Sequence, residues 1–132
     1  MKKSDNNVVS LFEQTNQGVQ KAVLTNSMKM KRGGSLSNPI LAYETWGKLS
    51  KQKDNVVVIL TGLSASSHVA SHSNNSKPGW WEGIVGPDKA IDTNKFYVIC
   101  VNSLGSCFGS TGPASINQIT GEPFRLTFPE LT

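Results

Sequence analysis

The chain has 132 residues, of which 37% are hydrophobic and 17% charged, the size of one globular domain or part of a larger one. Its formal charge of +4 is carried by thirteen Lys and Arg spread from Lys2 to Arg125, with only "KMKR" at 29–32 dense. Without a basic face or interleaved aromatics this argues against nucleic acid as a partner, and no apolar run approaches the ~20 residues needed to cross a bilayer.

Residues 1–18 are polar and rich in Asn and Gln, and read as a loosely ordered leader. The lysines at its start are not followed by an apolar h-region, so it is not a signal peptide and the expected location is cytoplasmic. Free thiols are expected there, since Cys100 and Cys107 fit neither a disulfide framework, a C-x-x-C pair nor a zinc site. "KAVLTN" (21–26) and "MKMKR" (28–32) read as short strands, joined to the next element by the turn-rich "RGGSLSNP". Lys29 and Lys31 mark the solvent face of the second, where lysine discourages edge pairing. "ILAYETWGKL" (40–49) is extended, with Leu41, Tyr43 and Thr45 alternating against Ala42, Glu44 and Trp46. "SKQKDN" follows as a polar turn.

"VVVIL" (56–60) and "FYVICV" (96–101) have no polar alternation. Such runs predict strands covered on both faces in the parallel sheet of an α/β protein. About 35 residues lie between them, room for a crossover of a dozen or more residues. Within it "GWWEGIVG" (79–86) predicts a short helix and "PDKAIDTNK" a loop into the second strand. At the end, "FPELT" places Pro and Glu as if a helix were beginning. Two central strands need further strands and helices to cover them, so the sequence reads as cut off.

Three chemical readings compete for the loops after these strands. Gly62-Leu63-Ser64-Ala65-Ser66 misses the G-x-S-x-G nucleophile elbow only at its last position. An elbow needs a helix behind the serine and a base later in the chain. Here a Ser- and Asn-rich run follows, and the only histidines, His68 and His72, are close by, so Ser64 is disfavoured. Gly105-Ser106-Cys107-Phe108-Gly109 satisfies G-x-C-x-G, and Cys107 would be an acyl-accepting thiolate if His68 or His72 served as base. Pro113 and its turn-forming neighbours stand where a supporting helix should start, which favours a plain glycine-rich loop. The third reading is positional: the loop after an early buried strand supplies one backbone N–H of an oxyanion hole. Gly62 lets the chain turn and Leu63 presents its N–H, a donor worth ~2.7–4 kcal/mol to the transition state. An ordinary βα loop is the bland alternative.

From residue 35 onward four motifs occur in order: "YETWG", "KPGWW", "GPDKAIDT" and "NSLGSCFGSTGPAS". Together they resemble the N-terminal part of the homoserine O-acetyltransferase family, acyltransferases of α/β-hydrolase fold. The resemblance implies an incomplete α/β-hydrolase domain over 19–132 that stops before the nucleophile elbow. It also implies ping-pong transfer from acetyl- or succinyl-CoA, through a serine acyl-enzyme, to the hydroxyl of L-homoserine in methionine biosynthesis. Relatives that acylate serine widen the acceptor. The family's catalytic Ser, Asp and His fall beyond this chain, which is therefore expected to be inactive alone. Leu63 matches the oxyanion-hole residue, although Thr61 and Ala65 depart from the family's usual His-Ala-Leu-Thr/Ser-Gly loop. Trp80, Trp81, Asn102 and Gly105 are implied at the site entrance, with core packing the alternative for the tryptophans. No metal and no resident cofactor are implied; acyl-CoA is a co-substrate, no membrane is involved, and the full-length family forms homodimers.

Overall fold

The computed structural model describes residues 18–62 and 64–131. Most of the expected leader and Leu63 lie outside the described residues. Among the described residues eight strands follow in order: β1 (Gln20–Val23), β2 (Met28–Lys29), β3 (Ser35–Leu36), β4 (Ile40–Trp46), β5 (Val56–Leu60), β6 (Val85–Gly86), β7 (Ile91–Asp92) and β8 (Tyr97–Val101).

The long apolar or alternating runs form one sheet in the order β1-β4-β8-β5, while β2-β3 and β6-β7 make separate two-stranded pairs. β4 runs antiparallel to both β1 and β8, and β5 runs parallel to β8 with Leu60 opposite Val101. β8 is thus inserted between two strands that precede it, and the carboxyl ends of β5 and β8 open at the same edge. In parallel α/β sheets that edge is where ligands bind.

One face of the sheet carries the core. Trp46, Ile59, Val69, Ala70, Val85, Val98 and Cys100 form a single buried cluster, drawing on β4, β5, β8 and the 61–96 crossover. The alternation read in β4 holds: Ala42, Glu44 and Trp46 are buried while Leu41, Tyr43 and Thr45 are half-buried. The crossover approaches so closely that a Cβ on Gly79 would stand 2.1 Å from the Val69 carbonyl carbon.

Two helix expectations fail here, whereas the open sheet face agrees with a chain read as supplying too little cover: on β5, Val56, Val58 and Leu60 are 42%, 57% and 80% exposed. The whole crossover folds onto the opposite face, and the described residues supply no second layer. The helix predicted over 79–86 is a single turn, closed by the Val85 N–H donating to the Trp81 carbonyl at 3.1 Å. It stops because Val85 enters β6 and Gly86 takes φ +151°, a conformation suited to glycine. The helix start expected at "FPELT" is also absent: a short 3-10 helix spans Arg125–Thr127, and residues 128–131 have no regular structure. "RGGSLSNP", read as a link, contributes β3, which turns back on β2 through Met28–Leu36 pairing.

Candidate active-site mouth and the network behind it

Because β5 and β8 are parallel and in register, the chain leaves both at one place. Thr61, Gly62 and Ala65 from the first loop and Ser103, Leu104 and Gly105 from the second enclose a cavity of about 410 Å³. The hydroxyls of Thr61 and Ser103 lie 3.3 Å apart and tie the two loops together. Gly105 turns at φ +84° and donates its N–H to the Thr111 carbonyl at 2.8 Å. Leu63, the expected donor, falls outside the described residues, and Ser64 beside it is exposed.

Behind this mouth lies a polar network that starts from β4. The strand's alternation puts Glu44 on the buried face between Ala42 and Trp46, where it is 1% exposed. A carboxylate so placed must be paired or hydrogen-bonded. Oε2 of Glu44 meets Nδ1 of His68 at 2.9 Å and Nε2 of His72 at 2.8 Å. Oε1 accepts the Ser67 hydroxyl at 3.0 Å. Asn102, the first residue after β8, accepts the Ser67 N–H at 2.6 Å and donates to the Ser67 hydroxyl and to the Phe108 carbonyl. No buried side-chain polar atom among the described residues is left unpaired.

Hydrogen-bond roles fix the protons. Nε2 of His68 is 2.7 Å from the Lys77 carbonyl, which only accepts, so that nitrogen carries a proton. Its Nδ1 faces the Glu44 carboxylate at 2.9 Å and the Asn75 amide nitrogen at 3.4 Å; a second proton on Nδ1 makes the ring an imidazolium paired with Glu44. Burial opposes that charge, but the hydrogen bonds to Glu44 and Lys77 and the nearby carboxylates outweigh it and raise the His68 pKa above 6.5. His72 differs: Nδ1 accepts the Asn74 N–H at 3.3 Å, leaving Nε2–H to donate to Glu44.

The donor atoms of Glu44, His68 and His72 lie within 4.8 Å of one another, close enough to hold a metal ion. Metal-bound imidazoles usually donate their other N–H to an acceptor. His68 meets that pattern and His72, whose Nδ1 is an acceptor, does not. The arrangement suits protons better than a cation.

Asn102, expected at the entrance, is buried behind it, and its side chain joins the two loops. Gly105 lines the mouth. Trp80 and Trp81 pack on each other with ring centroids 5.1 Å apart and are 42% and 41% exposed. They are neither core nor part of the described cavity lining. The Trp80 indole instead donates to the Ser66 carbonyl at 2.8 Å. Cys107 is exposed, and both ring nitrogens of His68 and of His72 are engaged within the network, so neither is available to it as a base. Burial pushes the Cys100 thiol up to about 12, which leaves it inert. Sequence reading missed Glu44, Ser67 and Ser110. The signal for Glu44 was its place on the same strand face as Ala42 and Trp46; the two serines carried none.

No family model matches the chain. It is 63% identical over 109 residues to a serine O-succinyltransferase of Frateuria aurantia, covering 82% of this chain and 30% of that protein. Among solved structures it resembles homoserine O-acetyltransferase from Bacillus anthracis, with TM-score 0.75 and 35% identity over 86% of this chain and 32% of that one. Esterase E22 is similar at TM-score 0.73 and 39% identity, covering 86% of this chain and 33% of its own. The chain spans about 30% of the length of the curated relatives it matches. These likenesses bear out the resemblance read from the ordered motifs and the α/β-hydrolase fold it implied.

Proposed function

We propose that this chain, which is kin to the homoserine O-acetyltransferase-like acyltransferases of α/β-hydrolase fold, forms the oxyanion-hole side of an O-acyltransferase site. Acyl-CoA delivers its acyl group to a serine of the complete protein, and the covalent ester then passes it to the hydroxyl of a small amino acid. The attacked carbonyl oxygen would sit in the mouth between the ends of β5 and β8, with the Leu63 N–H as one donor. Ser64 has no part in this scheme, and the nucleophile, Asp and His come from outside these residues. A single observation carries the reading: the parallel pairing of β5 with β8 brings Thr61, Gly62 and Ala65 to one cavity with Ser103, Leu104 and Gly105.

The 63% identity to a serine O-succinyltransferase favours succinyl-CoA and L-serine over acetyl-CoA and L-homoserine. The test is a chimera in which this chain replaces the matching segment of that relative. Release of CoA that depends on succinyl-CoA and L-serine is expected. A folded chimera that releases CoA with neither donor and neither acceptor would overturn the proposal. The likeness to esterase E22 supports a second reading, with water as acceptor. It predicts ester hydrolysis by the same chimera at a rate unaffected by added amino acid.

A further inference from the structure

We propose that Glu44, His68 and His72 form a proton-dependent latch that fixes the 64–75 loop on the sheet and so sets the shape of the mouth at the ends of β5 and β8. The effect on the mouth rests on the acyl-transfer reading; the latch itself rests on geometry alone. Three contacts from that loop converge on one carboxylate: the Ser67 hydroxyl on Oε1, and the two imidazoles on Oε2. Ser67 is in turn held by Asn102, which also grips the Phe108 carbonyl in the second loop. Ala65, two residues before Ser67, lines the mouth. Movement of the latch is therefore felt in the loop that should carry the oxyanion donor.

The charged and titratable groups around the latch come from every element packed on it. β4 supplies Glu44, the loop supplies His68 and His72, and β8 places the neutral Cys100 thiol in the field of Glu44. The turn after Trp81 adds the negative field of Glu82. Lys21 from β1 and Lys77 border the neighbouring cavity of about 710 Å³, which also reaches Glu44 and His68. His68 stands between two acceptors, the Lys77 carbonyl and Glu44. Loss of the Nδ1 proton turns that nitrogen into an acceptor, which the Asn75 amide nitrogen 3.4 Å away can serve and the Glu44 carboxylate cannot. A histidine whose folded pKa is raised contributes stability fully below its ordinary value of 6.5. That contribution is lost as pH rises through the folded value, so the latch opens on the alkaline side.

Nitrogen NMR of the histidine-labelled chain tests this directly. His68 should titrate with a midpoint above the ordinary value of 6.5, with both ring nitrogens protonated below that midpoint. Beyond that midpoint, amide exchange across 64–75 should rise about tenfold more than base catalysis alone explains. Glu44→Gln should lower the His68 midpoint. His68→Gln, which cannot titrate, should abolish the pH-dependent step in exchange and covers the case in which Glu44→Gln fails to fold. A His68 midpoint at or below the ordinary value of 6.5, or a zinc ion that binds stoichiometrically and displaces its Nδ1 proton, would overturn the latch. None of these readouts needs an acyl donor. A silent chimera would leave them standing, and an unraised His68 midpoint would leave the acyl-transfer reading standing.

Discussion

The Ser110 hydroxyl donates to the Asn102 carbonyl at 2.6 Å while accepting the Ala42 N–H at 2.9 Å. It thereby fills a gap between β4 and the chain leaving β8, where two backbone groups face each other without a direct bond. Ser110 is 4% exposed, so the two backbone groups it joins lie away from bulk solvent. Ser110→Ala leaves a buried donor and a buried acceptor unpaired, each costing about 1–3 kcal/mol. Urea unfolding of the variant should show a loss within or above that range. A change under about 0.5 kcal/mol, the usual size at an indifferent surface position, would mean that the two groups find other partners.

Glu82 holds the crossover together from its own side chain. Its carboxylate accepts the Gly79 N–H at 2.9 Å, the Ser71 N–H at 2.7 Å and the Ser71 hydroxyl at 2.8 Å. Those bonds, Gly79 first, outweigh burial and, with Lys89 beside it, lower its pKa from 4.5 to about 2. A depressed carboxylate stabilises the fold above its unfolded value and loses that contribution as pH falls through the folded one. The melting temperature should therefore drop between pH 4.5 and about 2. In Glu82→Gln that part of the decline should be missing, with a lower starting value at neutral pH. Parallel pH–melting curves for the two proteins would count against this role.

How much of this was legible beforehand depends on how local each signal is. β4, β5 and β8 were readable because alternation and unbroken β-branched runs are properties of the strand itself. The open face of β5 followed indirectly: the run Val56–Leu60 calls for cover on both faces, and the sequence offered too few helices to supply it. The helix expected at Gly79–Gly86 failed because it depends on contacts made elsewhere in the chain. Glu82 turns back to cap Gly79 and Ser71, and the Val69–Ala70 backbone packs against Gly79. Composition does not record such contacts. The glycine loop after an apolar strand was visible as a pattern, but the network near it needed the parallel register that brings Ser67 to Asn102. Glu44 was half-visible, as the one acidic residue on a face otherwise built from Ala42 and Trp46.

Gly79 is required for close approach, not for an unusual dihedral. An added Cβ would lie 2.1 Å from the Val69 carbonyl carbon and 2.2 Å from the Ala70 nitrogen. Both neighbours are backbone in the buried cluster and have little room to yield. Overpacking of a core usually costs about 1–3 kcal/mol, and Gly79→Ala should exceed that or prevent folding. Gly83→Ala is the control, since nothing lies within 4 Å of its added Cβ; it should unfold within about 0.5 kcal/mol of the parent. Equal midpoints for the two variants, read by circular dichroism, would exclude the close approach.

Val58 and Leu60 test the open face of the sheet. They are 57% and 80% exposed on β5, the last strand in the order β1-β4-β8-β5. An apolar face beside an unpaired strand edge is a template for association. The chain should therefore scatter light increasingly with concentration. Val58→Lys with Leu60→Lys should reduce that scattering while shifting the unfolding midpoint by no more than about 0.5 kcal/mol, because exposed positions lose little packing. If the lysines abolish cooperative unfolding instead, the face is covered in solution. The strands would then have the second layer that their sequence predicted.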